Sequence, residues 1–453
     1  MAEHFKPLDR DTLFLMPPSV QEWVPADHLA RFVVDVVAKL DLQPIRSRYA
    51  GRGSAAYQPE MMIALLLYGY ATGVYTSRKL ERATYDSVAF RYITANQHPE
   101  HDTISDFRRR FLPQIEALFA QVLLIAAESG MLKVGRVSVD GTKIRANASK
   151  HHALSYAHAT KLERRIKGEV ARLLRRAEQA DQSDKPDGID IPAELARRED
   201  RLRAIEEAQS RIREREQVRI AAERTAYDKR MEQRDERERE TGKKPRGPRP
   251  KPPSRTPNPN AQINLTDEES RVMPSADGMI QAYNAQAAID CKSRILVAAG
   301  VSQAPTDVGL LKETVAALSN LDTKIGNATE LLADAGYYSE ANLIVCGDAG
   351  IVPYIPRGRE RHAGGLRRFV EPAPLAASAS VRDAAHHRLR TNAGRRIYGE
   401  RKATIEPAFG IIKAAIGFRQ FLLRGIDKVR GEWKIVATAY NLRRLHTLRL
   451  ATL

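Results

Sequence analysis

Two Asp and one Glu sit where their chemistry, more than their folding propensity, explains them. Asp140 closes the run RVSVD and Asp334 the run ELLAD, each behind strand-forming apolar residues and each before a small residue. Strands disfavour Asp along their buried length, so each is expected at or near a strand end, where a lone Asp would simply cap a turn. Glu406 lies in RIYGERKATIEPAFGIIK, residues 396–413. Read locally, Thr404 caps a helix whose first turn holds Glu406 and Pro407. Phe409, Ile412 and Ile416 then form one apolar stripe, with Glu406, Gly410 and Lys413 on the line beside it. An acidic residue also suits a helix N-terminus for its own sake. Two Asp on strands and one Glu on a helix laid against them make an all-oxygen set, which hard divalent cations prefer. Three such carboxylates can hold two Mg²⁺ ions ~4 Å apart, one activating an attacking oxygen and one stabilising the leaving oxygen of a phosphoryl transfer. Mn²⁺ is expected to substitute.

The elements that would position these acids fall into three textures. Residues 1–130 read as helical: Pro25 precedes a run with Leu29, Val33, Val36, Val37 and Leu40, and Pro59 opens MMIALLLYGY. SRKLERATYDSVAFRYI reads as one helix, NQHPEHD as a turn, and TISDFRRRFLPQIEALFAQVLLIAAESG as the next helix, with Thr103 and Asp106 as a capping box. Helix, turn, then a helix bearing Arg108, Arg109 and Arg110 in its first turns is the layout of a helix-turn-helix DNA reader, although a helical bundle with solvated arginines has the same pattern.

Residues 161–250 contain 26 Lys and Arg and 21 Asp and Glu, too many charges for a globular core. Leu162, Ile166, Val170 and Leu173, then Leu195, Leu202, Ile205 and Ile212, keep helical spacings on either side of DQSDKPDGID, which predicts an antiparallel, coiled-coil-like hairpin. The stretch GKKPRGPRPKPPSRTPNPN is a basic, Pro-rich linker. The rest alternates strand-like runs (VGRVSVDGTKIRA, IQAYNAQAAID, RILVAAGVSQ, ELLADAGYYS, GIVPYIPRG) with helix-like ones, an α/β layer fold with a mixed sheet. Other acids have local readings: Asp290 ends a strand at a turn, Asp307 caps a helix in PTD, and Asp348 lies in a Gly-flanked turn.

At 453 residues the chain can bury two or three cores. Its formal charge of +17 favours a polyanionic partner. Two cysteines, Cys291 and Cys346, exclude both a disulfide framework and a Cys-based zinc site. Apolar runs stop short of the ~18 residues that a membrane span needs, and MAEHFKPLDRD does not read as a leader. A cytosolic protein with no membrane span is expected.

The motifs VSVDGTKI, LLADAGYY and YGERKATIEPAFGIIK resemble the three catalytic motifs of bacterial insertion-sequence transposases with a DDE triad, an RNase H-like core and a helical N-terminal domain. NLTDEESRVM, IQAYNAQAAID and AYNLRRL look like further blocks of that family, so the resemblance runs along nearly the whole chain. It implies that Asp140, Asp334 and Glu406 are the metal-binding catalytic triad. By similarity, Tyr398, Arg401 and Lys413 fill the other positions of a Tyr-Arg-Glu-Lys signature and contact DNA. Arg401 and Glu406 are separated by four residues where the signature has three, whereas Lys402 has three but spoils the spacing from Tyr398; either base is placed to touch phosphate.

The implied organisation is a DNA-binding helical domain (1–130), the first part of an RNase H-like catalytic domain (131–160), a helical hairpin and basic linker inserted into it (161–260), and the remainder of the catalytic domain with C-terminal helices (261–453). The implied function is cleavage at element ends and strand transfer into target DNA, using two Mg²⁺ ions. The implied partners are terminal repeats, target DNA and further copies of the chain in a homodimer or larger assembly, in the cytoplasm of a bacterium near its nucleoid. A two-metal nuclease that cuts without joining needs the same acids, and a basic DNA-binding scaffold would need none of them.

Overall fold

The computed structural model describes residues 19–49, 56–181, 191–244, 247–276, 278–358, 370–376 and 378–452. The turn expected in DQSDKPDGID lies, from residue 182 on, outside them. Two compact units are distinguished, one formed by Met1–Ile144 with Asn284–Leu453 and the other by Arg145–Tyr283.

In the first unit, α1 (Leu29–Val37), α2 (Gln43–Arg46), α3 (Pro59–Thr72), α4 (Ser77–Asp86), α5 (Val88–Ile93), α6 (His101–Arg110) and α7 (Leu112–Glu128) precede the first strand. Helix α3 is apolar on every side and correspondingly buried, as such a helix must be. The long helix expected after NQHPEHD is in fact two: α6 and α7 meet at a 73° bend, where Pro113 at the start of α7 cannot continue the ladder of α6. Helix α6 begins at His101, so Thr103 and Asp106 lie inside it and form no cap. Its three arginines fall in the last turn, where they complement the helix dipole. The helix expected over SRKLERATYDSVAFRYI is likewise split, at Ser87.

The chain then enters β1 (Val134–Arg145) and passes β2 (Ala153–Ser155), α8 (Tyr156–Asp181), α9 (Ile191–Thr241), β3 (Gln262–Asn264) and β4 (Arg271–Ser275). It returns through β5 (Gly278–Asp290), β6 (Leu296–Ser302), α10 (Leu311–Ser319), β7 (Gly326–Leu332), α11 (Glu340–Asp348), β8 (Val352–Tyr354), α12 (Val381–Arg390), α13 (Asn392–Gly410) and α14 (Ile426–Thr452). The sheet of the first unit runs β6-β5-β1-β7-β8. Strands β5 and β6 are antiparallel, while β1, β7 and β8 are parallel. This is the mixed sheet of an α/β fold, with a helical N-terminal region before it. Helix α14 packs on β6, α7 and α3, with Trp433 fully buried and its indole N–H donated to the Gln286 carbonyl at 2.9 Å.

In the second unit, α8 and α9 pack together over a small core of Leu154, Ala159, Ile166, Ile205, Ala208, Ile212 and Ile263. The pairs Glu163 with Gln209, Lys167 with Glu206 and Glu169 with Arg198 descend along α9 as they ascend α8, so the helices are antiparallel. Strand β2 pairs with β3, and β4 with the first half of β5.

Candidate active site

The register of the sheet aligns the two aspartates. Strands β1 and β7 pair in parallel up to Ser138 and Leu332; Asp140 and Asp334 are each two residues further on, so the register sets Asp140 of β1 beside Asp334 in the segment that follows β7. Asp140 is not at a strand end, because β1 continues to Arg145. Asp334 lies just past β7 and caps a single 3₁₀ turn, its Oδ1 accepting the Gly336 N–H at 2.8 Å.

Helix α13 brings the remaining groups. It starts far ahead of Thr404: Thr391 is its cap, accepting the Gly394 N–H at 2.9 Å, and Pro407 lies inside it. Glu406 is thus near the end of the helix and not in its first turn. Phe409, Ile412 and Ile416 are buried, as their stripe requires. Arg401 crosses from α13 to the sheet, donating from Nη1 to Asp140 Oδ2 at 3.1 Å and from Nη2 to Glu406 Oε1 at 3.2 Å. Its side chain is only 12% exposed, against 50% for Glu406. Lys402 is exposed; of the two bases it is Arg401 that reaches the acids. Tyr398 is half-buried, which raises its hydroxyl's pKa, and the nearby positive charge of Arg401 opposes the rise.

Burial pushes Asp140 up to about 6; the Gly141 N–H and Arg401 oppose the rise, while Asp334 and Asp307 add to it. Burial works against the charge on Arg401, yet Asp140, Tyr398, Asp334 and Glu406 outweigh it and hold the guanidinium above its ordinary value. Lys413 lies in a π-turn, Ile411–Ala415, that follows α13. Its ammonium donates to the Lys143 carbonyl at 3.4 Å, on the strand that carries Asp140.

Two family models match the chain: one described as a transposase domain (DUF772), over residues 18–110, and one as a transposase DDE domain, over residues 371–446. The chain belongs to the insertion-sequence DDE transposases. The second match includes Tyr398, Arg401, Glu406 and Lys413 of the transposase, whereas Asp140 and Asp334 lie outside both. Compared with curated proteins and with solved structures, the transposase has no significant match in either.

The family implies DNA as substrate and a divalent metal as cofactor. The transposase's donor set fits such an ion in kind. It is all carboxylate, the oxygen donors that a hard divalent ion takes, and Asp334 and Asp307 lie near enough to Asp140 to add to the rise that burial causes. Among the described residues no three acidic, His or Cys side chains converge closely enough to hold an ion as they stand. Between Asp140 and Glu406 the positive charge is supplied by Arg401.

The structure adds residues to the transposase's site that the sequence reading missed. Asp307 is no helix cap. Its Oδ1 accepts from Asn284 Nδ2 at 2.7 Å and Gln286 Nε2 at 2.9 Å, with the Lys143 ammonium at 3.6 Å. Tyr337 closes this cluster by donating to Gln286 Oε1. Asn284 and Gln286 did leave a signal, two amides at i and i+2 on one face of a strand that is otherwise largely apolar. Asp290 accepts the N–H and hydroxyl of Ser293 in a turn, each at 2.7 Å.

The N-terminal arginines of the transposase divide. Arg108 does not face DNA: it is 7% exposed and donates to the Tyr75 carbonyl at 3.1 Å and the Tyr70 hydroxyl at 3.3 Å. Successive helical residues turn by about 100°, so three adjacent arginines cannot share one outward face. Arg109 and Arg110 are exposed, the first paired with Asp106 at 2.8 Å and the second lying over Tyr49 and Phe111.

Proposed function

We propose that this transposase cleaves DNA at the ends of its element and joins the freed 3′ hydroxyl to target DNA, with Asp140, Asp334 and Glu406 holding divalent cations. One observation carries the reading: Arg401 pairs with Asp140 of the sheet and Glu406 of α13 through its two Nη atoms, while the sheet register sets Asp334 beside Asp140, whose pKa its charge helps to raise. When bound, Mg²⁺ would activate the attacking oxygen and stabilise the leaving one. The chain's own groups bind and orient DNA. Arg401 moves from the carboxylates to a phosphate, which its planar fork suits equally well. Tyr398 holds the guanidinium from the side. Lys413, anchored on β1, supplies a point charge for a phosphate near the scissile bond. Arg109 and Arg110 contact phosphates further along the duplex, and two copies of the chain pair the two element ends, in the bacterial cytoplasm.

The test is a strand-transfer assay on DNA that carries the element's terminal repeats, with Mg²⁺, with Mn²⁺ and with chelator. Metal-dependent joining is expected, and it should be abolished in Asp140→Asn, Asp334→Asn and Glu406→Gln while DNA binding is retained. Cutting without joining would establish a nuclease, and binding alone a scaffold. Near wild-type activity in any of the three variants would remove that residue from the triad.

A further inference from the structure

Glycine ends α3 at Gly73 (φ 85°), and the chain turns so that Tyr75 reaches the segment directly after the π-turn of Lys413. The Tyr75 hydroxyl donates to the Ile416 carbonyl. A Cβ on Gly73 would stand 2.9 Å from that same oxygen, so the two segments are in close contact. The Tyr75 ring meets Phe418 edge-on at 5.4 Å. Behind Tyr75, Arg108 holds its carbonyl and donates to the Tyr70 hydroxyl, which in turn donates to Glu432 Oε1 at 2.9 Å. Glu432, fully buried, accepts the Leu422 and Leu423 N–H groups at 3.0 Å each. The stretch from Ile416 to Leu423 is thus held from the N-terminal helices at one end and by Glu432 at the other.

The held residue is the one that defines the turn. The Ile416 N–H closes the π-turn on the Ile411 carbonyl at 2.8 Å. A π-turn carries one residue more than an α-turn and is intrinsically unfavourable. Relaxing it to α geometry would rotate one side of the turn relative to the other by about 100° and swing Lys413 away from its direction.

We propose that Tyr75 is a positioning residue for the last signature motif: its hydroxyl, backed by Arg108, holds the π-turn that presents Lys413. The N-terminal domain then shapes the catalytic centre in addition to any DNA contact of its own. This rests on the reading of Lys413 as a phosphate contact, and two measurements keep the ideas apart. The first is amide hydrogen exchange in Tyr75→Phe. Exchange in the peptide 411–418 should speed up about fivefold, the effect of one lost hydrogen bond, with α14 unchanged; an unchanged rate in 411–418 overturns the brace. The second is a double-mutant cycle on binding of pre-cleaved ends. Tyr75→Phe should weaken binding about fivefold, Lys413→Ala more, and the double variant no more than Lys413→Ala alone. Additive losses overturn the idea that Tyr75 acts through Lys413. A silent Lys413→Ala beside faster exchange supports the brace and removes the phosphate reading instead.

Discussion

A single methyl group at residue 141 should disable this site. An ideal Cβ on Gly141 would stand 2.2 Å from Gln286 Nε2, 2.7 Å from Asp307 Oδ1 and 2.9 Å from Asn284 Oδ1. All three atoms are side-chain ends, which would yield cheaply if they were free. They are not: Asp307 Oδ1 accepts from both amides, Gln286 Nε2 also donates to Asn284 Oδ1, and Tyr337 holds Gln286 from the far side. Making room means breaking at least the two amide bonds to the carboxylate, at about 1.5 kcal/mol each, with about 1 kcal/mol more for overpacking. Gly141→Ala should therefore lose about 4 kcal/mol of stability by those magnitudes. Because Asp140 is the preceding residue, strand transfer should fall as well. Urea denaturation read by tryptophan fluorescence, which reports on the buried Trp433, measures the first, and the oligonucleotide assay the second. A stability change under about 0.5 kcal/mol, a typical surface substitution, would refute the claim that this cluster is rigid.

Arg136 on β1 bonds Glu400 of α13 through Nη1 at 2.7 Å and Glu330 of β7 through Nε at 2.7 Å, so it fixes α13 on the sheet one residue before Arg401. Arg136→Met should cost about 2 kcal/mol, less than a fully buried pair, and lower strand transfer beyond what its melting loss explains; an equal fall in both would make Arg136 structural only. The folded-state value of about 6 for Asp140 lies above its ordinary 3.8, so the carboxyl's contribution to stability is full below about 3.8 and is lost as pH rises through about 6. In metal-free protein the stability of wild type relative to Asp140→Asn should accordingly fall between pH 4 and 7, and Mn²⁺ affinity should drop about tenfold per pH unit below about 6, because a ligand must be deprotonated. Mn²⁺ binding independent of pH over that range would take Asp140 out of the ion's shell.

How legible the site was in the sequence depends on how local each signal is. Asp140 and Asp334 stand out because each interrupts an apolar strand within five residues of sequence. Arg401 could be named only as one of two bases, since a helix of unknown phase does not say which points inward; the burial of Arg401 and exposure of Lys402 decide it. Asp307 was misread because PTD is a sound local capping signal, while its actual partners, Asn284 and Gln286, are about twenty residues upstream, on β5. The start of α13 was misplaced for a related reason. Thr404 and Pro407 imitate a helix opening, but Ala403, whose carbonyl Pro407 leaves unbonded, is exposed along with it, so the helix runs through at little cost. The mixed α/β texture survived these errors because it rests on alternation along many segments.

Helix α9 is 51 residues long and α8 is 26, so at about 1.5 Å per residue α9 extends some 76 Å and overshoots its partner. The shared core ends on α9 at Ile212. Beyond it the helix is laced by pairs with itself, Arg219 with Glu216 and Glu223, and Arg224 with Asp228. Pairs of this kind contribute a few tenths of a kcal/mol each and are screened by salt within about 10 Å. The far half of this arm is therefore a rod whose side-chain bracing, though not its backbone ladder, weakens as ionic strength rises. Raising salt weakens DNA binding and softens the rod together, so a salt titration of DNA binding reports both unless helicity is followed beside it.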